Sequence, residues 1–152
     1  MLSDCDLVVA NLEGAILDEN YDTHANPGVH NTPETVPFLR DLHVTALNLC
    51  NNHIMDYQGG LANTCRILDT EAIPYFGAGS NLSEAAKPLL AKTHGEDVAV
   101  FSFGWNVIGC VPARTSREGV NPLQRAHALR TIRDFRSSHP DKPLVLLMHW
   151  DF

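Results

Sequence analysis

Positive charge is scarce in this chain: eleven Lys and Arg stand against eighteen Asp and Glu, a formal net charge of -7. The basic residues gather only between positions 114 and 136, where they read as the solvated face of a helix. A grip on a nucleic-acid backbone is therefore disfavoured, because it requires cations spaced along successive phosphates. No apolar run approaches the roughly 18 residues of a membrane-spanning helix. The opening "MLSDCDLVVANLEG" carries acids where a secretory signal needs positive charge, and the chain is expected to be soluble as it stands. No GxSxG elbow is present, and "FGAGSN" holds one GxG without the third glycine of a phosphate-binding loop, so it reads as a turn. Cys5, Cys50, Cys65 and Cys110 are widely separated, form no CxxC pair and mostly sit in apolar runs, as unpaired buried thiols do.

What is present suits a packed core. The chain has 152 residues, 44% of them hydrophobic, enough for a single domain over 1–152. "DLVVA" (6–10) reads as a buried strand that ends at polar Asn11 and Glu13. Residues 17–32 read as a long loop, a place where function often lies. Thr32-Pro33-Glu34 looks like a capped helix start, giving a helix over 33–42. "VTALNLC" (44–50) is a second strand. Leu61, Cys65, Leu68 and Ala72 mark one face of a helix over 59–71. "PLLAKT" and "VAVFSFGW" flank the turn-former His94-Gly95-Glu96-Asp97 as a hairpin. A further helix should run from Asn121-Pro122 to about 138 around Ala126, Leu129 and Ile132, and "LVLLMHW" closes the chain as a strand. Strands alternating with helices, and strands that are apolar nearly throughout, point to an α/β layered sandwich. Both ends fall abruptly on strands, which sets the expectation of a domain truncated at one or both ends.

Three polar groups fall at the carboxyl ends of expected strands: Asn11 with Glu13, Asn52 with His53 in "NLCNNHIMDYQGG", and His149. Parallel strands would bring these ends together, where α/β proteins collect ligands. A carboxylate, an amide oxygen and an imidazole suit a borderline divalent ion such as Mn, Fe or Zn. Glu13 could bridge two ions, Asn52 and His149 could each ligate one, and His53 beside them could act as general acid or donor to substrate oxygen. Two ions roughly 3.5–4 Å apart activate water and clamp a phosphoryl oxygen without any protein nucleophile. Each residue taken singly also has a structural reading: Glu13 as a loop carboxylate, Asn51-Asn52 as a turn, His149 as a satisfied histidine. The other histidines read as structural or solvated, with His24 and His30 kept as substrate-loop candidates. Trp105 and Trp150 read as packing residues, and Trp150 could wall the site.

In order, "DLVVANLEGAI", "LNLCNNHIMDY", "GLANTCRIL", "IPYFGAGSNLSEA" and "LVLLMHW" resemble the poly-gamma-glutamate capsule synthesis (CapA-like) family, a branch of the calcineurin-like metallophosphoesterases. The resemblance implies an α/β/β/α sandwich with Glu13 as the metal-bridging acid, Asn52 and His149 as metal ligands, and His53 as the catalytic histidine. It gives Asp56 and Asn11 supporting places, with Asp56 holding the turn. It also implies two divalent ions in a complete site and a role with capsule or polyglutamate synthesis machinery. The family's opening Gly-Asp strand and its closing GHxH segment have no counterpart in this chain. Gln58 stands where glycine usually follows "DY", and Asp151 where glycine usually follows "HW". An incomplete site implies weak or no activity for this chain alone, and self-association through unpaired sheet edges. The alternative is a non-catalytic binding or scaffold subunit of a polymer synthase.

Overall fold

The computed structural model describes residues 2–24 and 27–150; Asp151 lies outside the described residues. A short 3-10 turn at Leu2–Asp4 leads to β1 (Val9–Asn11), β2 (Ala15–Ile16), β3 (His30–Asn31), α1 (Thr35–Asp41) and β4 (Ala46–Asn48). Then come α2 (Gly60–Thr70), β5 (Tyr75–Phe76), β6 (Ala78–Gly79), α3 (Leu82–Ala85) and β7 (Leu89–Thr93). The chain continues through β8 (Glu96–Gly104), β9 (Gly119–Val120), α4 (Arg125–Ser138) and β10 (Leu144–His149).

Two three-stranded sheets form the centre, ordered β1-β4-β5 and β10-β8-β7. In the first, all strands run parallel, with Asn11 opposite Asn48 and Asn48 opposite Phe76. In the second, β10 runs parallel to β8, placing His149 beside Gly104, while β7 and β8 form the expected hairpin. His94 and Gly95 make its two-residue turn with φ of 49° and 86°, the left-handed pair that matches the twist of adjoining strands.

Alternation along the strands sets the layers. Leu47, Leu49 and Cys50 join Val36 and Leu39 of α1 and Leu61 and Leu68 of α2 in one buried cluster, while the Asn48 amide bonds to Asn11. On β8, Ala99, Phe101 and Phe103 pack with Ala128, Ile132 and Phe135 of α4, and the Phe101 ring meets Phe135 edge-on at 5.3 Å. The opposite face, through Ser102 and Gly104, lies against Gly77 and Cys50 of the first sheet's loops. The order is thus helix, sheet, sheet, helix: the expected α/β/β/α sandwich.

Several elements start or turn differently from expectation. Helix α1 begins at Thr35, not 33, and Glu34 rather than Thr32 occupies the cap position without a side-chain cap bond. Pro37 explains this, since it lacks an N–H and fits only in the first turn, where no intrahelical partner is needed. Helix α4 begins at Arg125 because Gln124 is extended and the Asn121 side chain is committed elsewhere: it donates to Ser102 O at 2.8 Å and meets His127 Nε2 at 2.8 Å. The buried face accordingly runs through His127, Ala128, Ile132 and Phe135, and Leu129 and Ala126 face out. His127, expected to be solvated or structural, is buried. Ala72 falls past α2 with a left-handed φ of 54°, and Thr64 takes an inward place, donating to Gly60 O and accepting from Ile16 N–H, both at 2.8 Å. The long loop over 17–32 ends in β3, which pairs parallel with β2.

The cysteines are all free: Cys50 and Cys110 are buried, Cys65 partly, and Cys5 is exposed. Trp150, expected as a packing residue, is 61% exposed.

Candidate functional site

The two sheets meet at their carboxyl ends, and that is where the polar groups gather. Beyond β4 the chain turns through Asn51, which is fully buried and spends its amide mainly on the backbone, with one long bond of 3.5 Å from Nδ2 to Asn11 Oδ1. Its Nδ2 donates to Leu12 O at 2.8 Å, and its Oδ1 accepts from His53 N–H at 3.1 Å and from Gly14 N–H at 3.4 Å. One side chain therefore staples the loop that carries Glu13 to the loop that carries Asn52 and His53. Asn48 adds a bond of 3.3 Å to Asn11 Oδ1, and Asn11 in turn donates to Glu13 Oε2. In the sequence Asn48 carries no mark of this role, and Asn51 reads as part of a turn. The signal available was asparagine closing an apolar strand, where an unpaired buried amide would be costly and so must have partners.

From the other sheet, β10 delivers His149. Its Nε2 lies 2.7 Å from Asn52 Oδ1 and 3.9 Å from Glu13 Oε1, and Trp105 N–H holds its carbonyl at 3.0 Å. Glu13, Asn52 and His149 thus converge although they are distant in sequence. His149 also lines a groove of about 340 Å³ with Val9, Asn11, Asn48, Leu147 and Met148. His53 sits beside Asn52 and is 35% exposed, with Nδ1 2.8 Å from Asp56 Oδ2. His30 stands on β3 against Tyr57, whose hydroxyl lies 3.3 Å from its Nδ1. His24 donates its backbone N–H to Asp22 Oδ1 at 3.1 Å.

Glu13, Asn52 and His149 offer one carboxylate, one amide oxygen and one imidazole. Among the described residues no three His, Cys, Asp or Glu side chains come together as a metal-holding group, so an ion here would depend on the amide as a third donor. Two thiols lie close by and are kept protonated. Burial pushes Cys50 up to about 12, and burial together with the Glu13 carboxylate pushes Cys110 up to about 11. At neutral pH neither supplies the thiolate that metal binding or nucleophilic attack requires.

The architecture is an α/β sandwich of the metallophosphoesterase type. Residues 1–151 match the family described as bacterial capsule synthesis protein PGA_cap, and the chain belongs to that family. It is 31% identical over 150 residues to the PGA biosynthesis protein CapA of Bacillus subtilis, covering 95% of this chain and 39% of that protein. It is 26% identical over 157 residues to the capsule biosynthesis protein CapA of Bacillus anthracis, covering 98% and 38%. A probable polyglutamine synthesis accessory protein of Mycobacterium tuberculosis is 31% identical over 158 residues, covering 95% and 41%. The chain spans about two fifths of the length of these relatives. Among the described residues no helix is long and apolar enough to cross a membrane.

Proposed function

We propose that this chain carries part of a divalent-metal-dependent phosphoesterase site in a protein of capsule or poly-gamma-glutamate biosynthesis. The observation that supports it best is the convergence of Glu13, Asn52 and His149 from three separate strand ends. Their donor types fit a borderline divalent ion of the Mn, Fe or Zn kind. Such an ion would supply Lewis-acid polarisation of a phosphoryl oxygen. To serve as a ligand, His149 must offer the lone pair of Nε2, the atom that now faces Asn52 Oδ1. Asn11 orients Glu13 through its donated bond, and Asn51 keeps the two loops in register. His53 is placed to hand a proton to a leaving oxygen.

The same donor set explains an expected weakness. One carboxylate is the only negative ligand charge, which suits one ion held loosely better than two held tightly, so the chain alone should be poorly active. The net charge of -7 also opposes direct grip on an anionic polyglutamate. Partners in this reading are components of the capsule or polyglutamate synthesis machinery.

The test is hydrolysis of phosphomonoesters and phosphodiesters, with metal supplied, by a protein extended at both ends to the length of its relatives. The expected outcome is metal-dependent turnover that falls about 100-fold or more in His53→Ala. If that variant leaves the biological readout of capsule formation unchanged, the alternative role as a non-catalytic scaffold subunit is favoured instead.

A further inference from the structure

Asp56 lies three residues beyond His53, and one oxygen of its carboxylate serves two partners. His53 Nδ1 is 2.8 Å from Asp56 Oδ2, and Val29 N–H donates to the same atom at 2.9 Å. The turn itself needs neither bond, because Asp56 N–H already donates to His53 O at 3.1 Å. Tyr57 extends the attachment: its hydroxyl accepts from Gly28 N–H at 2.9 Å and lies 3.2 Å from Gly28 O. Its ring also meets His30 edge-on at 5.6 Å.

The far end of the same segment grips the Glu13 loop. Asn31 Nδ2 donates to Glu13 O at 2.8 Å and approaches Gly14 O at 3.3 Å. Gly14 has a left-handed φ of 80°, and a Cβ there would lie 2.5 Å from Val29 O, so the segment packs directly on its backbone. Residues 28–31 therefore touch the backbone of the candidate ligand Glu13 and, through Asp56, the candidate proton donor His53.

We propose that Asp56 is a positioning residue whose carboxylate holds His53 with its proton on Nδ1 and braces residues 28–31 across the site. An ionised carboxylate only accepts hydrogen bonds, so the His53 nitrogen facing it must be the donor. Nε2 is then the nitrogen available to substrate, and the brace ties its placement to that of Glu13. The importance of this for catalysis rests on the proposed role of His53; the bond pattern does not.

The experiment is nitrogen NMR of histidine-labelled chain, without metal, at about pH 8.5, where an ordinary imidazole is neutral, together with amide exchange at Val29. Wild type should show His53 as the Nδ1–H tautomer and a protected Val29 amide. Asp56→Asn keeps an acceptor oxygen and should retain both signals in part. Asp56→Ala should lose the tautomer preference and speed Val29 exchange roughly tenfold. In an extended protein that hydrolyses phosphoesters, Asp56→Ala should lower kcat about 100-fold with KM little changed, and Asp56→Asn should recover part of it. An Nε2–H tautomer in wild type, or an Ala variant with both signals unchanged, overturns the proposal. Intact signals in an extended protein that binds no metal and hydrolyses nothing would instead sink the catalytic reading of His53 and leave the brace standing.

Discussion

His127 shows how one buried side chain sets a pH dependence. Its Nε2 lies 2.8 Å from Asn121 Oδ1, and burial, reinforced by the Arg130 guanidinium, holds its pKa below the ordinary 6.5. The unfolded chain takes up this proton near the ordinary value, whereas the folded chain takes it up only at lower pH. Below 6.5 the unfolded state therefore binds more protons, and stability falls as pH drops until the folded ring also protonates. Denaturant midpoints measured from about pH 7.5 down to about pH 5 should decline in wild type, and the decline should be shallower in His127→Gln. Equal slopes would show that His127 is not the group responsible. Residue chemistry of this kind was only partly legible in the sequence. Glu13, Asn52, His53 and His149 stand out because charged or polar types close apolar runs. Asn48, Asn51 and Asn121 do not, because their partners lie 19 to 39 residues away: the Asn11 side chain for Asn48, and the backbone carbonyls of Leu12 and Ser102 for Asn51 and Asn121.

The join between the sheets depends on an element end with no side chain. Gly104 closes β8, and a Cβ there would lie 2.9 Å from Cys110 Sγ and 3.0 Å from Cys50 Sγ. Cys50 leads directly into Asn51 and Asn52, so Gly104→Ala must push on the segment that carries the candidate ligand. Thermal or denaturant unfolding of this variant should show a loss of about 1–3 kcal/mol, and a loss below 0.5 kcal/mol would mean the sulfurs move aside freely. Strand positions were legible from apolar runs, although "DLVVA" and "VTALNLC" shrank to β1 and β4 because pairing covers only three residues of each. Helix starts were less so. Pro37 decided α1, and the commitment of Asn121 to Ser102 and His127 decided α4, the first visible in the sequence and the second only in the fold. The face of α4 followed its docking on Phe101 and Phe103, which no local pattern encodes.

At the level of the whole molecule, β1 and β10 each have one neighbouring strand among the described residues. On β10, Val145, Leu146 and Met148 are exposed, Met148 by 49%. An edge strand with open hydrogen-bonding groups and apolar side chains invites pairing with another copy. Sedimentation of the 152-residue chain should show concentration-dependent association that weakens in Val145→Lys; a monomer at all concentrations would contradict this. The layered architecture was legible because the alternation of helices with nearly continuous apolar strands shows in the apolar patterning, whereas the order of strands within each sheet does not. The convergence of Glu13, Asn52 and His149 could be anticipated only from the rule that parallel strands gather their carboxyl ends. Whether these three side chains hold a metal ion is decided by metal content. The protein extended to the length of its relatives and equilibrated with Mn, Fe or Zn should retain at least one tightly held ion per chain and lose it in His149→Ala. No retained ion, or the same metal content in His149→Ala as in wild type, would contradict it.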